Sequence, residues 1–280
     1  MAFILFSPRL LLYAFATNNN KLVQKIEWKH RHGYLNVWKT ILVNFSSFKP
    51  AVARKFPIIV YEDLDFINYG EIIIESETIS RGMLSINPIT WRSKSVTRIE
   101  NYGVLRLTGN NIRIFGGSKI IIRGGCITLD EGCSICENTL IFCEKEIKIG
   151  KRTDLSFDSI VTDTNNHFLV NIDNGIIHPQ VKAVEIGDFN WIGNNTSIKP
   201  GCKTPHHTIV AASYSVLTKD YTLSISPYSV IGGCPAKLIK EGVSRIWDVK
   251  KETELLQKSE NELSVSKEFI KEIITSIDNY

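Results

Sequence analysis

The chain contains no apolar run of the ~20 residues that a membrane-spanning helix needs. Its most apolar start, Phe3 to Ala16, is interrupted by Pro8 and Arg9, and neither a basic leader region nor a cleavage site accompanies it. A cytoplasmic protein is the expectation. Cysteine is sparse at six residues, and the one close pair, Cys133 and Cys136, lacks the second CxxC or the paired histidines of a tetrahedral zinc site. Structural thiols are expected, and no metal. Cys126, Cys133 and Cys202 each follow an aliphatic by four residues, a spacing that suits a small buried side chain. Nor does any nucleic-acid-binding motif accompany the basic residues. Charge is modest, with 22% charged residues and a formal net of +4, which excludes a disordered polyelectrolyte.

What the chain does have is a period of six. Ile186, Ile192, Ile198, Thr204, Val210 and Val216 recur at that interval, which neither a helix at 3.6 residues per turn nor a strand at 2 produces. Four residues after most of them stands a residue of limited bulk: Asn190, Thr196, Cys202 and Thr208, with Tyr214 as the exception. Short flat strands coiled into a triangular prism account for both positions, the aliphatic stacking inward and the small residue filling a corner. The coils would stack roughly 4.8 Å apart. An irregular form of the pattern runs through Leu107, Ile114, Ile122, Leu129, Ile135 and Ile141, and a clean one through Ile149, Leu155 and Val161.

Then the register stops. A stacked coil cannot absorb the residues from Thr162 to Ala183, so they must leave the prism as a loop, and long loops on rigid scaffolds concentrate function. The expected organisation is a basic, helical or irregular segment over 1–97 leading into the first strands, the solenoid over 98–240 with its loop at 162–183, and a helical tail over 241–280. In that tail Phe269, Ile270, Ile273, Ile274 and Ile277 form one face. Charge is uneven: Asn20 to Lys55 holds eight Lys or Arg against Glu27 alone, interleaved with Trp28, Tyr34, Trp38, Phe45 and Phe48. Such an arm suits either subunit packing or an anionic membrane face.

Three motifs in order, IGDFNWIGNNTSIKPG at Ile186–Gly201, AASYSVLTKD at Ala211–Asp220 and GGCPAKLIK at Gly232–Lys240, resemble the terminal coils of the hexapeptide acyltransferases. That family consists of left-handed parallel β-helix enzymes that use acetyl-coenzyme A. The nearest branch resembles the sugar and surface-polysaccharide O-acetyltransferases. The resemblance implies a mainly β fold, a homotrimer with sites between neighbouring prisms, and acetyl transfer to a sugar hydroxyl of a capsule, O-antigen, exopolysaccharide or precursor. It departs from the family at His206-His207, where a hydrophobic residue and glycine are usual, and at Tyr214.

Acetyl transfer to a hydroxyl needs a base, and histidine suits that role at neutral pH. Of six histidines, His30 and His32 sit in the basic arm and His206 and His207 within a coil, which leaves His167 and His178 in the interrupting loop. Asp163 and His167 in DTNNH resemble the family's loop entrance, so His167 is the expected base. Asp163 is the first candidate to hold its second nitrogen, although a turn-forming role fits it too. Asn165, Asn166 and His178 are candidate acceptor contacts. By resemblance, Ala212 and Ser213 would meet the pantetheine arm, Trp191 would lie beside it and Pro235 would contact adenine. Thr218, Lys219, Lys237, Lys240 and Arg245 are the expected phosphate side. Two other readings use the same scaffold: an amino-sugar N-acetyltransferase and a non-catalytic solenoid. The related carbonic anhydrases would need a metal-binding H-x4-H pair, which no two histidines here form.

Overall fold

The computed structural model describes residues 34–88, 95–248, 251–253, 255 and 265–271. The apolar start, the basic residues Lys21 to Arg31 with Trp28, His30 and His32, and the tail residues Ile273, Ile274 and Ile277 lie outside the described residues.

Three faces build the molecule. A nine-stranded sheet, a seven-stranded sheet and a five-stranded sheet receive successive strands of each coil in turn. Every pairing along them is parallel except the last, where Lys237–Glu241 turns back antiparallel on Ser229–Gly232. This is the mainly β, parallel β-helical prism that the period of six predicts. Because strand side chains alternate between faces, one inward residue per strand forms a ladder. On the nine-stranded face it runs Val60, Ile86, Ile114, Ile135, Leu155, Ile192, Val210 and Ile231, each paired with the next in register. All eight are buried. Each such side chain contributes roughly 1.5–3 kcal/mol of hydrophobic stabilisation.

The corners explain the small slot. Asn190, Thr196, Cys202 and Thr208 are buried, and their polar members satisfy corner carbonyls: Thr196 Oγ1 donates to Gly193 O at 2.7 Å, Thr208 Oγ1 to Pro205 O at 2.9 Å, and Asn190 Nδ2 to Pro205 O at 2.8 Å. The slot thus selects a donor as well as a small volume. The residue before it takes a left-handed conformation, as at Phe189 (φ 53), Asn195 (φ 55) and His207 (φ 55). For a bulky residue that conformation costs roughly 1–2 kcal/mol. At one edge the cost is offset by stacking: the His207 ring lies parallel to Phe189 at 4.9 Å and to Tyr228 (φ 63) at 4.4 Å. An aromatic ladder therefore stands where the resemblance leads one to expect a glycine.

Three expectations are corrected. The first strands, expected within the segment up to 97, are more than a lead-in: Ile58–Val60, Leu64–Asn68 and Glu71–Ile74 already form a complete coil paired to the next. Val216 does not point inward; it is half-buried and pairs with Ser197, while Leu217 fills the core. The slip comes from one extra corner residue, absorbed by consecutive left-handed residues Ser213 (φ 67) and Tyr214 (φ 66), which also turns Tyr214 outward. Cys126 is not in the small slot: Ile127 and Leu129 occupy the inward register, so alternation leaves Cys126 half-exposed, its Sγ 3.8 Å from Thr128 Oγ1.

Candidate active site

The interruption is an ordered antiparallel hairpin rather than a bare loop. The chain leaves the seven-stranded face after Ile160–Thr162 and rejoins the prism at Val184–Ile186 on the five-stranded face. At its base Thr164 bridges Val181, and the Asn165 N–H donates to Gln180 O at 3.0 Å. Further out Leu169 pairs with His178 and Val170 with Ile177. The tip closes on Asn171, whose Oδ1 accepts from the N–H of Asp173 at 2.9 Å and of Asn174 at 3.3 Å. His167, two residues before the partner of His178, is exposed, as are Asn165, Asn166 and His178. The two loop histidines therefore share one hairpin at one edge of the prism.

Asp163 does something else. It is fully buried, and its carboxylate accepts the backbone N–H groups of Glu144 (2.8 Å), Lys145 (2.7 Å) and Glu146 (2.7 Å) from the corner of the preceding coil. The Cys143 thiol donates to it at 3.5 Å. With both oxygens engaged inside the prism, Asp163 anchors the point where the hairpin leaves. Among the described residues, none holds the His167 imidazole by a hydrogen bond. The expectation that Asp163 orients His167 is thereby corrected: chain proximity in DTNNH does not survive the inward turn of the first residue.

The residues expected on the donor side do not converge within one chain. Thr218 and Lys219 lie on the hairpin's edge, at the end of the seven-stranded face, and the Lys219 ammonium sits 5.4 Å from the Tyr221 ring. Ala212 and Ser213 occupy the edge where the chain passes from the nine- to the seven-stranded face. Pro235 lies above them in the turn whose Gly233 N–H donates to Ser215 Oγ at 3.1 Å. Lys237 and Lys240 are on the last, antiparallel strand. Trp191 stands on the nine-stranded face, its indole N–H donating to Ser156 Oγ at 3.3 Å. Arg245, returning along that face, places its guanidinium 5.4 Å from the Trp191 ring and 4.5 Å from the Trp247 ring and pairs with Asp154. Arg245 is thus a structural strap rather than a free phosphate ligand.

One pair escaped the sequence reading. His206 Nδ1 accepts the Asp188 N–H at 3.1 Å and lies 3.5 Å from Asp188 Oδ2. That hydrogen bond occupies Nδ1 and leaves Nε2 as the other polar atom of the ring. The i, i+18 spacing across one coil was the only signal for it. As for the thiols, burial pushes Cys136 and Cys202 up to about 12 and raises Cys133 and Cys143 further; none of these is a nucleophile near neutral pH. Among the described residues no group of three or more His, Cys, Asp or Glu could hold a metal ion.

No family model matches the chain. Over 56 residues it is 41% identical to a chloramphenicol acetyltransferase of Klebsiella aerogenes, covering 20% of this chain and 24% of that protein. Over 59 residues it is 42% identical to one from Morganella morganii, covering 21% and 26%. The chain thus spans about a quarter of the length of the curated relatives it matches. Among solved structures, the polysialic acid O-acetyltransferase OatWY aligns with a TM-score of 0.37 and 23% identity, over 72% of this chain and 98% of that one. The N-acyltransferase AntD of Bacillus cereus, solved with dTDP and 3-hydroxybutyryl-CoA, aligns with a TM-score of 0.39 and 15% identity, over 81% and 97%.

Proposed function

We propose that the protein is an acetyl-CoA-dependent O-acetyltransferase acting on a hydroxyl of a sugar in a cell-surface polysaccharide or its precursor. The observation that carries the reading is the hairpin, which interrupts an otherwise continuous prism and presents His167 and His178 at its edge. The local identity to acetyltransferases supports the reaction class. In the proposed step the neutral His167 imidazole takes the hydroxyl proton as the oxygen attacks the thioester carbonyl. The tetrahedral intermediate then collapses, the carbon–sulfur bond breaks, and the imidazolium returns its proton to the leaving coenzyme A thiolate.

Since Ala212, Ser213 and Pro235 lie one face-width from the hairpin edge, about 15–20 Å at ~3.3 Å per strand residue, we infer that the site forms between copies. A homotrimer would bring one prism's hairpin to the next prism's donor edge. The second copy would also supply the acceptor that holds the imidazole. The exposed hairpin residues Phe168, Leu169, Val170, Ile172, Ile176 and Ile177 suit burial against that neighbour.

The test is thiol release from acetyl-CoA with a panel of glycans, followed by alkali treatment of the product. Mild base cleaves an ester and leaves an amide, which separates O- from N-acetyl transfer. His167→Ala should lower turnover by ~10²–10⁴-fold with coenzyme A binding retained; turnover within a few-fold of wild type would move the role to His178. A second acceptor class, a chloramphenicol-like antibiotic, is favoured by the names of the matched relatives and belongs in the panel. Failure of the chain to bind coenzyme A would leave the non-catalytic solenoid.

A further inference from the structure

The helix Val37–Ser47 closes the first coil and is two-faced. Its inner face is fixed to the strand Ile58–Val60: Thr40 Oγ1 accepts the Val60 N–H at 3.0 Å, and Asn44 accepts the Ile58 N–H at 3.1 Å while donating to Ile58 O at 2.6 Å. Val43 is buried beside them. Among the described residues the outer face has one ring contact, Phe45 edge-on to Phe56 at 6.2 Å. Trp38 is 76% exposed, Leu42 55% and Phe45 46%, with Ile41 and Val37 beside them, and a shallow groove of 580 Å³ is lined by Asn36, Trp38, Lys39, Ile41 and Leu42. Positions 38, 41, 42 and 45 fall on one helical stripe, and the helix contains no acid.

The surroundings are basic. Lys49, between this helix and the short helix Pro50–Ala53, and Arg54 and Lys55, which follow the short one, are exposed. Among the described residues the acids next to it are Glu62, whose Oε1 accepts the Tyr34 N–H at 2.8 Å, and Asp63, 3.8 Å from the Lys39 ammonium. Both are engaged. An apolar stripe with tryptophan at its border and a basic rim has the composition of an interfacial helix that lies on anionic lipid. A second copy of the same surface would set like charges against each other, which disfavours self-association through it.

We infer that this helix is a membrane-docking face, lying in the plane of an anionic bilayer with Trp38, Ile41, Leu42 and Phe45 in the headgroup boundary and Lys49, Arg54 and Lys55 over the phosphates. The prism stands on it by its first coil, and the hairpin is several coils away and free to work. The inference is independent of the chemistry proposed above.

Co-sedimentation of the full chain with vesicles of phosphatidylcholine alone, or phosphatidylcholine with phosphatidylserine, at low and high salt tests it. Binding should require phosphatidylserine and fall with salt. Each surface cation contributes about fivefold to partitioning, so Lys49→Gln, Arg54→Gln and Lys55→Gln together should weaken binding by about a hundredfold. Leu42→Ser with Trp38→Ser should also weaken it, with thermal midpoint and circular dichroism unchanged because both side chains point away from the prism. Absence of binding, equal binding to both vesicle types, or unchanged binding by the folded Leu42→Ser, Trp38→Ser protein would each overturn the inference. So would a loss of self-association in that variant without any loss of vesicle binding, which would identify a second copy as the occupant.

Discussion

Replacing Asp163 separates structural from catalytic aspartate. The side chain accepts three backbone N–H groups at 2.7–2.8 Å in a fully buried corner. A hydrogen bond to a charged group contributes roughly 1.5–3 kcal/mol. Two of the three N–H groups share one oxygen, so the sum is less than threefold, and Asp163→Ala should cost on the order of 4 kcal/mol. Asp163→Asn keeps one acceptor but turns an NH₂ toward an N–H, and about 2–3 kcal/mol is expected. With an m-value near the top of the usual ~1–3 kcal/mol/M range, the alanine variant's urea midpoint should fall by about 1 M or more. Turnover of the folded Asn variant, measured well below its midpoint, should stay within about tenfold of wild type. An aspartate that held the base's tautomer would behave oppositely, losing roughly 10⁴-fold in turnover with little change in stability. Finding that second pattern would refute the anchoring role and return Asp163 to the catalytic machinery.

Further outcomes follow from the same geometry. If the site spans two copies, His167→Ala and a donor-edge variant such as Ser213→Trp should each be inactive alone, yet regain part of the activity when co-assembled; no recovery in mixed oligomers would place the site within one chain. Ile192→Ala and Ile141→Ala remove fully buried rungs of the core and should each destabilise by about 2–5 kcal/mol, readable in urea; a cost under about 1 kcal/mol would deny the inward register. Four thiols are raised by burial, so the unfolded chain releases those protons first. Stability is therefore fully present below the ordinary thiol pKa near ~8.5 and falls as pH rises above it toward about 12 for Cys136 and Cys202, by up to ~1.4 kcal/mol per pH unit per thiol. A flat stability profile across that window would contradict the burial. In the native state a disulfide reagent should react first with the exposed Cys234, while Cys133, Cys143 and Cys202 stay protected until unfolding.

The prism was legible where its coils are equal in length. From Ile186 to Val210 the six-residue interval reports inward side chains directly, because each short strand and its corner consume the same number of residues. Upstream, Val60, Ile86, Ile114 and Ile135 occupy one ladder at unequal spacing, since corners there hold extra residues. A fixed period cannot find such a ladder, and the first coil reads as a lead-in for that reason. The same cause displaced Val216 by one position: a corner that takes two left-handed residues shifts everything after it, and in a strand a shift of one exchanges core for surface.

The placement of the candidate site residues was legible only as far as chain distance tracks space. His167 and His178 lie eleven positions apart, and the hairpin pairing sets His178 opposite Leu169, two residues from His167. Asp163 stands four residues from His167 and has been turned into the core, because the last rung of a coil must close its corner before the chain can leave. What a solenoid cannot reveal in one chain is a site made from its edges. Successive coils place chemistry along parallel lines, and a convex prism keeps those lines a face-width apart. On the function proposed above, a pocket that aligns a thioester with a hydroxyl would be completed by the surface of a second copy. The hairpin, which carries both histidines and exposed apolar side chains from Phe168 to Ile177, is the element that would reach it.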